Sequence, residues 1–309
     1  MKKEGEIVYD VAVLMSCYNG EQYISQQIES ILNQDNVNVT VYIRDDGSTD
    51  NTLKIIEKFR SNVIIFANEN VGFKNSFASL IWDKSIQADF YAFSDQDDVW
   101  DADKLFVAVN NLSKISGAGM YSSNQRIVDA NLNYLKPLYG FDKNDLSFPK
   151  YQNFKDFFLH NNYFGNTIVF NEATMQVLRS YRPTDMTVQH DSWISIIAYM
   201  FGTIVFDPRM HSSYRQHEKN VVGGISTPSS ILKKVETFIK KKPMHSQLAI
   251  SLIKGYQDRI SSDDLKWLKL LSNLPRLSSK IQLILDKNVK DKNLYKTMIL
   301  KILIIFSKF

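Results

Sequence analysis

The 309-residue sequence has only one cysteine, Cys17, and no apolar run of about 18 residues, the length that a membrane-spanning helix needs. A single cysteine excludes a disulfide framework and a cysteine-based zinc site, and it is typical of a reducing compartment. Residues 1–6 carry both acidic and basic side chains and lack the pattern of a signal peptide. We therefore expect a cytoplasmic protein without a spanning helix.

Several common motifs are absent as well. No Gly-x-Gly-x-x-Gly follows the first predicted strand, and no Gly-x-x-x-x-Gly-Lys-Ser/Thr occurs, which argues against a dinucleotide-binding fold and a P-loop. No Gly-x-Ser-x-Gly elbow is present. A nucleotidyltransferase is disfavoured because no glycine-rich loop bearing Arg or Lys follows the first strand.

Basic residues are concentrated at the C-terminal end. Residues 231–309 contain 17 Lys and Arg residues against 6 Asp and Glu residues, whereas the whole chain contains 37 and 33. Such a block predicts an anionic partner. Lysines between apolar residues at helical spacing favour contact with an anionic membrane surface, and a homodimer interface or a solvated helical bundle are the alternatives. Nucleic acid is not expected, because basic and aromatic residues are not interleaved as in a known binding module.

Strand and helix patterns alternate through the N-terminal third. Apolar, β-branched runs predict strands, and apolar residues at helical spacing predict the helices between them. The predicted strands cover residues 8–15, 37–43, 63–67 and 89–94, and the helices cover 21–33, 52–60 and 73–82. This alternation predicts a parallel sheet whose strand ends share one edge, where open α/β folds bind ligands.

The rest of the chain is less regular until its helical end. We predict short strands at 120–123 and 166–170, a hairpin-like run at 126–132, a long loop at 136–150, and helices at 172–181, 193–200, 231–239, 248–260, 264–271 and 294–306. The glycine-bearing stretch 218–224 is a candidate for a loop that closes over a ligand, with a plain surface connection as the alternative.

Three carboxylates, those of Asp95, Asp97 and Asp98, follow the fourth predicted strand directly. An Asp-x-Asp at the end of a buried strand suits Mg²⁺ or Mn²⁺, whose remaining ligands are usually waters and substrate phosphates. The alternative is an acidic first turn of a helix, where Asp complements the helix dipole.

Six stretches of the chain, taken together and in order, resemble the family 2 glycosyltransferases of the GT-A fold. They are Met-Ser-Cys-Tyr-Asn-Gly at 15–20, Arg-Asp-Asp-Gly-Ser-Thr-Asp at 44–50, Asn-Val-Gly-Phe at 70–73, Phe-Ser-Asp-Gln-Asp-Asp-Val-Trp at 93–100, Gln-His-Asp-Ser-Trp at 189–193 and Tyr-Arg-Gln-His at 214–217. The likeness covers residues 8–222 and is greatest to rhamnosyltransferases that build bacterial surface polysaccharides.

The resemblance implies an α/β fold with a Rossmann-like, mixed and mainly parallel sheet flanked by helices. The stretch Pro228-Ser229-Ser230 looks like a hinge after which strand patterns are absent, so we expect a GT-A domain at 1–228 and a basic helical C-terminal region at 229–309. Within the domain, residues 1–117 would form the nucleotide-sugar half and residues 118–228 the acceptor half.

The resemblance also implies a nucleotide-diphospho-sugar donor in the crevice. The residues that match the family's nucleotide-binding positions are Cys17, Tyr18, Asn19, Asp45, Asp46, Asn70, Gly72 and Asp95. Four of them have a structural alternative: Cys17 and Tyr18 as packing residues, and the Asp45–Asp46 pair as turn formers.

A divalent metal ion, Mn²⁺ or Mg²⁺, is the cofactor that the resemblance implies. Asp97 matches its direct ligand, His217 matches a third metal or diphosphate contact, and Asp191 matches the general base. The alternatives are a solvated loop histidine and an acid that caps or begins a helix. Further candidates for contact with a sugar are Asp98, Trp100, Trp193 and Arg215, although Asp98 is equally suited to cap the next helix and both tryptophans to the core.

The chemistry of sugar transfer needs these residue types. Negative charge develops on the leaving diphosphate, and a divalent cation neutralises it. One carboxylate can accept the proton of the attacking hydroxyl. With one base and no carboxylate nucleophile, we expect direct displacement with inversion.

The resemblance favours transfer of L-rhamnose from dTDP-rhamnose to a saccharide acceptor of a capsule, O-antigen or wall rhamnan, carried on a polyprenyl diphosphate at the inner face of the membrane. A UDP-glucose, UDP-galactose or UDP-N-acetylhexosamine donor is the alternative within the same class. A non-catalytic subunit of a synthesis complex is the alternative from another class.

Overall fold

A computed structural model describes residues 8–140, 149–184, 189–218, 243–291 and 293–309. The N-terminal part has the predicted alternation: β1 (Tyr9–Cys17), α1 (Ile24–Leu32), β2 (Val37–Asp45), α2 (Thr52–Ile56), β3 (Val63–Ala67), α3 (Phe73–Ile81) and β4 (Phe90–Ser94). These four strands are parallel, in the order β3-β2-β1-β4. Their carboxyl ends therefore lie on one edge of the sheet, as predicted.

The following elements extend the same sheet. They are β5 (Val99–Trp100), α4 (Lys104–Leu112), β6 (Gly119–Val128), β7 (Tyr134–Pro137), α5 (Phe154–His160), β8 (Ile168–Asn171), α6 (Glu172–Arg179), α7 (His190–Phe201) and β9 (Thr203–Arg215). The strand order continues from β4 through β8, β6 and β9 to β5, and β7 pairs with β6. Because β8 is antiparallel to both neighbours while β6 and β9 are parallel, the sheet is mixed.

Both faces of the sheet are covered by apolar clusters. Strand β1 shows how the sequence produces them: Ala12 and Leu14 face one cluster, and Val11 and Val13 face the other. Alternate side chains of a strand point to opposite faces, so a continuous apolar run is the pattern of a strand buried on both sides.

Several predictions about secondary structure need correction, and β5, α4 and α5 were not predicted at all. Strand β9 was not predicted, because charged residues such as Asp207 and Arg209 interrupt its apolar pattern, although it pairs with β6 along its length. The loop predicted at 136–150 begins later, since Lys136 and Pro137 pair with β6. Helix α7 begins at residue 190 and not at 193, which places Asp191 in its first turn.

Four helices form the described C-terminal part: α8 (Met244–Tyr256), α9 (Ser262–Ser272), α10 (Leu277–Leu285) and α11 (Leu294–Ile305). Of these, α10 was not predicted. The Tyr256 hydroxyl of α8 donates to the Val177 carbonyl of α6 at 2.9 Å, and Trp267 of α9 packs edge-on against Phe158 of α5. The predicted boundary at 228, the helix at 231–239 and most of the stretch 218–224 lie outside the described residues.

Among the described residues, each helix is too short or too polar to cross a membrane.

Candidate active site

A cavity of about 830 Å³ lies at the carboxyl ends of β1 and β4. Loops that are distant in sequence meet here because parallel strands end on the same edge. The predicted site residues that line the cavity are Cys17, Tyr18, Asn19, Asp46, Asn70, Gly72, Asp95, Asp97, Asp191 and His217.

Asp97 and His217 form a pair within this cavity. The distance between Asp97 Oδ2 and His217 Nε2 is 2.9 Å. The His217 ring lies against the ring of Tyr23, with centroids 4.9 Å apart. Burial raises the pKa of the Asp97 carboxyl, although the imidazole partly offsets this. The cavity thus presents a carboxylate and an imidazole side by side.

Asp95 places a further carboxyl group in the site. Burial raises the pKa of its carboxyl well above the usual range, and so do the neighbouring carboxylates of Asp98, Asp97 and Asp191. Carboxylates crowded together disfavour one another's ionised form, and a cation between them relieves that repulsion. This part of the cavity is therefore suited to a cationic ligand.

Arg215 holds the acidic loop in place. Its guanidinium donates to the Asp97 carbonyl at 2.9 Å, to the Ala130 carbonyl at 2.7 Å and to Gln26 Oε1 at 2.6 Å, and its backbone N–H donates to Asp98 Oδ1 at 3.2 Å. It is buried and does not line the cavity. The structure therefore gives Arg215 a positioning role and not the predicted contact with a sugar.

Asp98 and Trp100 also lie behind the cavity wall. Asp98 accepts a hydrogen bond from the Asn166 side chain, and Lys104 Nζ donates to the Asn166 carbonyl at 2.6 Å and lies 3.6 Å from the centroid of the Trp100 ring. Burial raises the pKa of Asp98 to about 7 and lowers that of Lys104 to about 7. These residues support Asn166, which does line the cavity. The predicted sugar contacts of Asp98 and Trp100 are replaced by this structural role, and Asp98 does not cap α4.

Two other predicted residues are buried and do not line the cavity. Asp45 accepts the Ser48 N–H at 2.9 Å and is almost fully buried, so it shapes the turn after β2. Trp193 is also almost fully buried, and its ring packs near Tyr256 in the core. For both residues the structure agrees with the structural alternative and not with ligand contact.

Asp46 fixes the loop that contains Asn70. Its two carboxylate oxygens accept the N–H groups of Val71, at 3.0 Å, and Gly72, at 2.8 Å, and Arg44 pairs with the same carboxylate. Gly72 has φ +80°, a conformation that favours glycine. Asp46 lines the cavity, but both its oxygens are engaged with this loop.

Gln96 joins two walls of the cavity. Its Oε1 accepts the Tyr18 N–H at 2.8 Å, and its Nε2 donates to the Tyr18 carbonyl at 3.2 Å. A Cβ at Gly20 would lie only 2.4 Å from Gln96 Oε1, so a side chain at position 20 would displace this amide from its present position. Tyr18 itself is about half exposed at the cavity. The tether leaves its ring available for stacking on a planar ligand.

Asp191 lines the cavity from the first turn of α7, where Gln189 is the N-cap residue. Its Oδ1 accepts the Ser192 N–H at 2.6 Å. Asp191 is only partly buried, so its carboxylate is open to a ligand. Asp191 therefore lies where a base could accept a proton from a ligand in the cavity. It is also an acidic residue in the first turn of a helix, which was the structural alternative.

His190 precedes Asp191 and is buried against the rings of Phe77, with centroids 3.9 Å apart, and Phe93, with centroids 4.7 Å apart. Burial lowers the pKa of His190 to about 4, so the imidazole is neutral at neutral pH. Among the described residues, neither ring nitrogen has a hydrogen-bond partner. A Cβ at Gly165 would lie 2.6 Å from Nε2. The cavity wall therefore contains an unsatisfied polar group.

A sequence-based family model decides the classification. The model described as "Glycosyl transferase family 2" matches residues 12–180, more than half of the chain. The chain belongs to glycosyl transferase family 2.

Curated relatives of this glycosyltransferase include the dTDP-rhamnosyl transferase RfbG of Shigella flexneri, 40% identical over 117 residues, which cover 36% of this chain and 40% of that protein. They also include the UDP-Glc:alpha-D-GlcNAc-diphosphoundecaprenol beta-1,3-glucosyltransferase WfgD of Escherichia coli, 34% identical over 128 residues, which cover 40% and 48%. The chain thus spans less than half the length of these relatives.

Solved structures share the fold. The S. aureus TarS fragment 1–349 in complex with UDP-GlcNAc has a TM-score of 0.56 at 16% identity, covering 84% of this chain and 70% of that one. The mannosyltransferase PcManGT of Pyrobaculum calidifontis, in complex with GDP-Man and Mn²⁺, has a TM-score of 0.50 at 15% identity. The match covers 89% of this chain and 72% of that one. The predicted GT-A fold is confirmed.

A divalent ion would find suitable residues in this glycosyltransferase. Within the described part of the chain, no group of three or more His, Cys, Asp and Glu side chains forms a complete metal site. Asp97 and His217 nevertheless provide two ligands of the right chemistry. Mg²⁺ is commonly held by one or two carboxylates together with waters and substrate phosphates. The residues therefore fit an ion that is shared with a diphosphate.

Sequence reasoning missed several residues of the cavity wall. They are Gln22, Tyr23, Phe73, Phe77, Gln96, Gln125, Ile127, Leu138, Gly165, Asn166, Gln189, His190, Tyr214 and Gln216. Gln96, His190, Tyr214 and Gln216 lie inside quoted motifs, so their position was a usable signal. Gln125 and Asn166 carry no local signal, because only the pairing of β6 with β8 and β9 brings them to the site.

Proposed function

We propose that this family 2 glycosyltransferase moves L-rhamnose from dTDP-rhamnose to a saccharide acceptor, with inversion at the anomeric carbon and with a bound divalent ion. The observation that carries the proposal is the presence in one cavity of the Asp97–His217 pair and the Asp191 carboxylate. The likeness to the dTDP-rhamnosyl transferase RfbG supports the donor.

The donor would lie along the loops after β1 and β4. The half-exposed ring of Tyr18 offers a stacking surface for the nucleobase, while Asn19, Asn70 and Gly72 line the same cavity. Asp97 and His217 would hold the ion, which, when bound, supplies positive charge to the leaving diphosphate. A metal-bound relative of the fold, PcManGT with GDP-Man and Mn²⁺, supports this assignment.

Asp191 would accept the proton of the attacking hydroxyl. Its carboxylate is partly exposed to the cavity, and general base catalysis by a positioned side chain contributes typically about 10²–10⁴ in rate. The neutral ring of His190, next to it in the sequence, is buried in the cavity wall, and within the described part of the chain its two nitrogens have no hydrogen-bond partner. Asp191 would thereby orient the attacking hydroxyl for in-line displacement.

The acceptor would be a saccharide of a cell-surface polysaccharide on a polyprenyl diphosphate. The likeness to WfgD, whose name specifies a diphosphoundecaprenol-linked acceptor, supports this class. The name of WfgD also specifies UDP-Glc, so UDP-glucose in the same site is the second candidate for the donor.

A donor panel tests the proposal. Purified protein with Mn²⁺ is incubated with dTDP-rhamnose, UDP-glucose, UDP-galactose or UDP-GlcNAc and a mixed glycan acceptor, and release of the nucleoside diphosphate is measured. Release from dTDP-rhamnose that Asp191→Asn abolishes is the expected result. Release from a UDP-sugar alone would replace the donor, and binding of nucleotides without any turnover would favour a non-catalytic subunit.

A further inference from the structure

The last two helices expose large apolar side chains. On α10 these are Leu277, Ile281 and Leu285, and on α11 they are Leu294, Tyr295, Met298, Ile299, Ile302 and Ile305. Leu285 is 78% exposed and Leu294 is 77% exposed. Their spacing of three or four residues puts them on one stripe of each helix. We call these side chains the apolar face.

The two helices form a hairpin. Lys280 Nζ donates to the Ile305 carbonyl at 2.7 Å, which places the end of α11 beside the first turns of α10. The opposite side of each helix is buried, with Leu283 on α10 and Leu303 and Ile304 on α11 in the core. The apolar face is therefore not the inner side of the hairpin and has nothing packed over it among the described residues.

The hairpin is strongly basic. Residues 277–309 contain seven lysines and only two acids, Asp286 and Asp291, and neither acid lies within α10 or α11. Both acids pair with α5: Lys155 Nζ lies 3.4 Å from Asp286 Oδ2, and His160 Nδ1 lies 3.8 Å from Asp291 Oδ2. Outward-facing charge near the apolar face, as at Lys287 and Lys296, is positive.

We propose that the apolar face of the α10–α11 hairpin lies on a lipid bilayer that contains anionic headgroups. Apolar residues would enter the interface while lysines contact the headgroups, the arrangement of helices that lie in a membrane surface. Pairing with a second copy is disfavoured, because a two-fold contact would bring like charges together.

The hairpin is joined to the catalytic cavity. Its connection rests on α5 through Asp286 and Asp291, and the chain after α5 reaches the cavity wall at Phe164, Gly165 and Asn166. A membrane under the hairpin would therefore be connected, through α5, to a segment of the cavity wall that belongs to the predicted acceptor half. The proposal rests on the hairpin residues and does not depend on the donor or acceptor proposed above.

Vesicle binding tests the proposal with the full chain and no nucleotide sugar. Co-sedimentation compares vesicles of pure phosphatidylcholine with vesicles that contain phosphatidylglycerol. We expect at least about tenfold tighter binding to the anionic vesicles, since each lysine near the surface contributes about fivefold. The triple variant Leu285→Gln/Met298→Gln/Ile302→Gln should lose most of this binding. Lys287→Gln/Lys296→Gln should lose mainly the preference for the anionic lipid.

The matched control is Leu135→Gln, which changes an exposed leucine of β7 that is 52% exposed. It should bind vesicles as the wild type does, and thermal melting should show that every variant folds. Wild-type protein that binds neither vesicle, or a triple variant that binds as tightly as the wild type, would overturn the proposal. A dimer in sedimentation equilibrium that the triple variant converts to a monomer, without vesicle binding, would assign the face to a second copy.

Discussion

His217 Nε2 lies 2.9 Å from Asp97 Oδ2, although 120 positions separate the two residues in the sequence. The contact exists because β9 runs parallel to β6 and returns the chain to the end of β4. Arg215, the last residue of β9, binds the Asp97 carbonyl and fixes the distance between the two segments. The end of β9 therefore positions both proposed metal ligands, because His217 follows it in the chain and Arg215 holds Asp97.

Removal of the imidazole should weaken metal activation. We expect His217→Ala to raise the Mn²⁺ concentration needed for half-maximal turnover by about tenfold or more, since one of two protein ligands is lost. The control is His211→Ala, which breaks a comparable pair with Asp103, at 3.1 Å, outside the cavity. The assignment fails if both variants show the same metal dependence as the wild type.

Replacement of Asp191 separates catalysis from helix stability. Asp191→Asn should lower kcat by about 10²–10⁴, because the base is lost, and should change the dissociation constant of the donor by no more than about twofold. Asp263→Asn is the matched control, since Asp263 is a first-turn acid of α9 and is highly exposed. If both variants lose only about 0.3–1 kcal/mol of stability and keep their kcat, Asp191 acts on the helix dipole alone.

Loss of the tether between the cavity walls should affect donor binding. Gln96→Ala removes both hydrogen bonds to the Tyr18 backbone, and we expect KM for the donor to rise by roughly tenfold, as for two bonds of about 1 kcal/mol or less each. Steady-state kinetics of Gln176→Ala, an exposed glutamine of α6, give the baseline. A fall in kcat with KM unchanged would contradict a role in donor binding.

His190 should make the protein sensitive to acid. Its pKa is lowered from 6.5 to about 4 in the folded state, so the unfolded state binds more protons between these values. Unfolding free energy therefore falls as pH falls through this window, by about 3 kcal/mol between pH 7 and pH 4. His190→Phe keeps the stacking on Phe77 and removes the titration.

The measurement is urea unfolding of the wild type and His190→Phe at pH 7 and pH 4. The difference between the two proteins isolates the imidazole from other buried groups, such as Asp98 and Lys104. Equal pH dependence in wild type and His190→Phe would show that His190 is not held neutral by burial.

Much of the site could be predicted from sequence because it follows strand ends. Asp95 and Asp97 come directly after an apolar run, and a strand in a parallel sheet delivers its next residues to the ligand edge. Tyr18 and Asn70 come after the ends of β1 and β3, so the same rule predicts their position in the cavity. The alternation of strands and helices was enough to place these loops together.

Burial of individual side chains could not be predicted in the same way. Trp193 and Arg215 lie in motifs beside ligand-facing residues, yet both are buried, because helical and strand periodicity turn neighbouring side chains in different directions. Strand β9 was missed because its alternating pattern includes charged residues. The roles of Gln96 and His190 depend on contacts with distant parts of the chain, to Tyr18 and Phe77.

The most direct measurement is calorimetric titration of dTDP into the wild type and Asp97→Asn, each with Mn²⁺ and with EDTA. The account predicts binding by the wild type with Mn²⁺ that weakens by about tenfold or more in EDTA, and an Asp97→Asn variant that binds equally weakly in both conditions. Failure of dTDP and of UDP to bind the wild type in the presence of Mn²⁺ would contradict the central claim, that this cavity holds a nucleotide sugar through a divalent ion at Asp97.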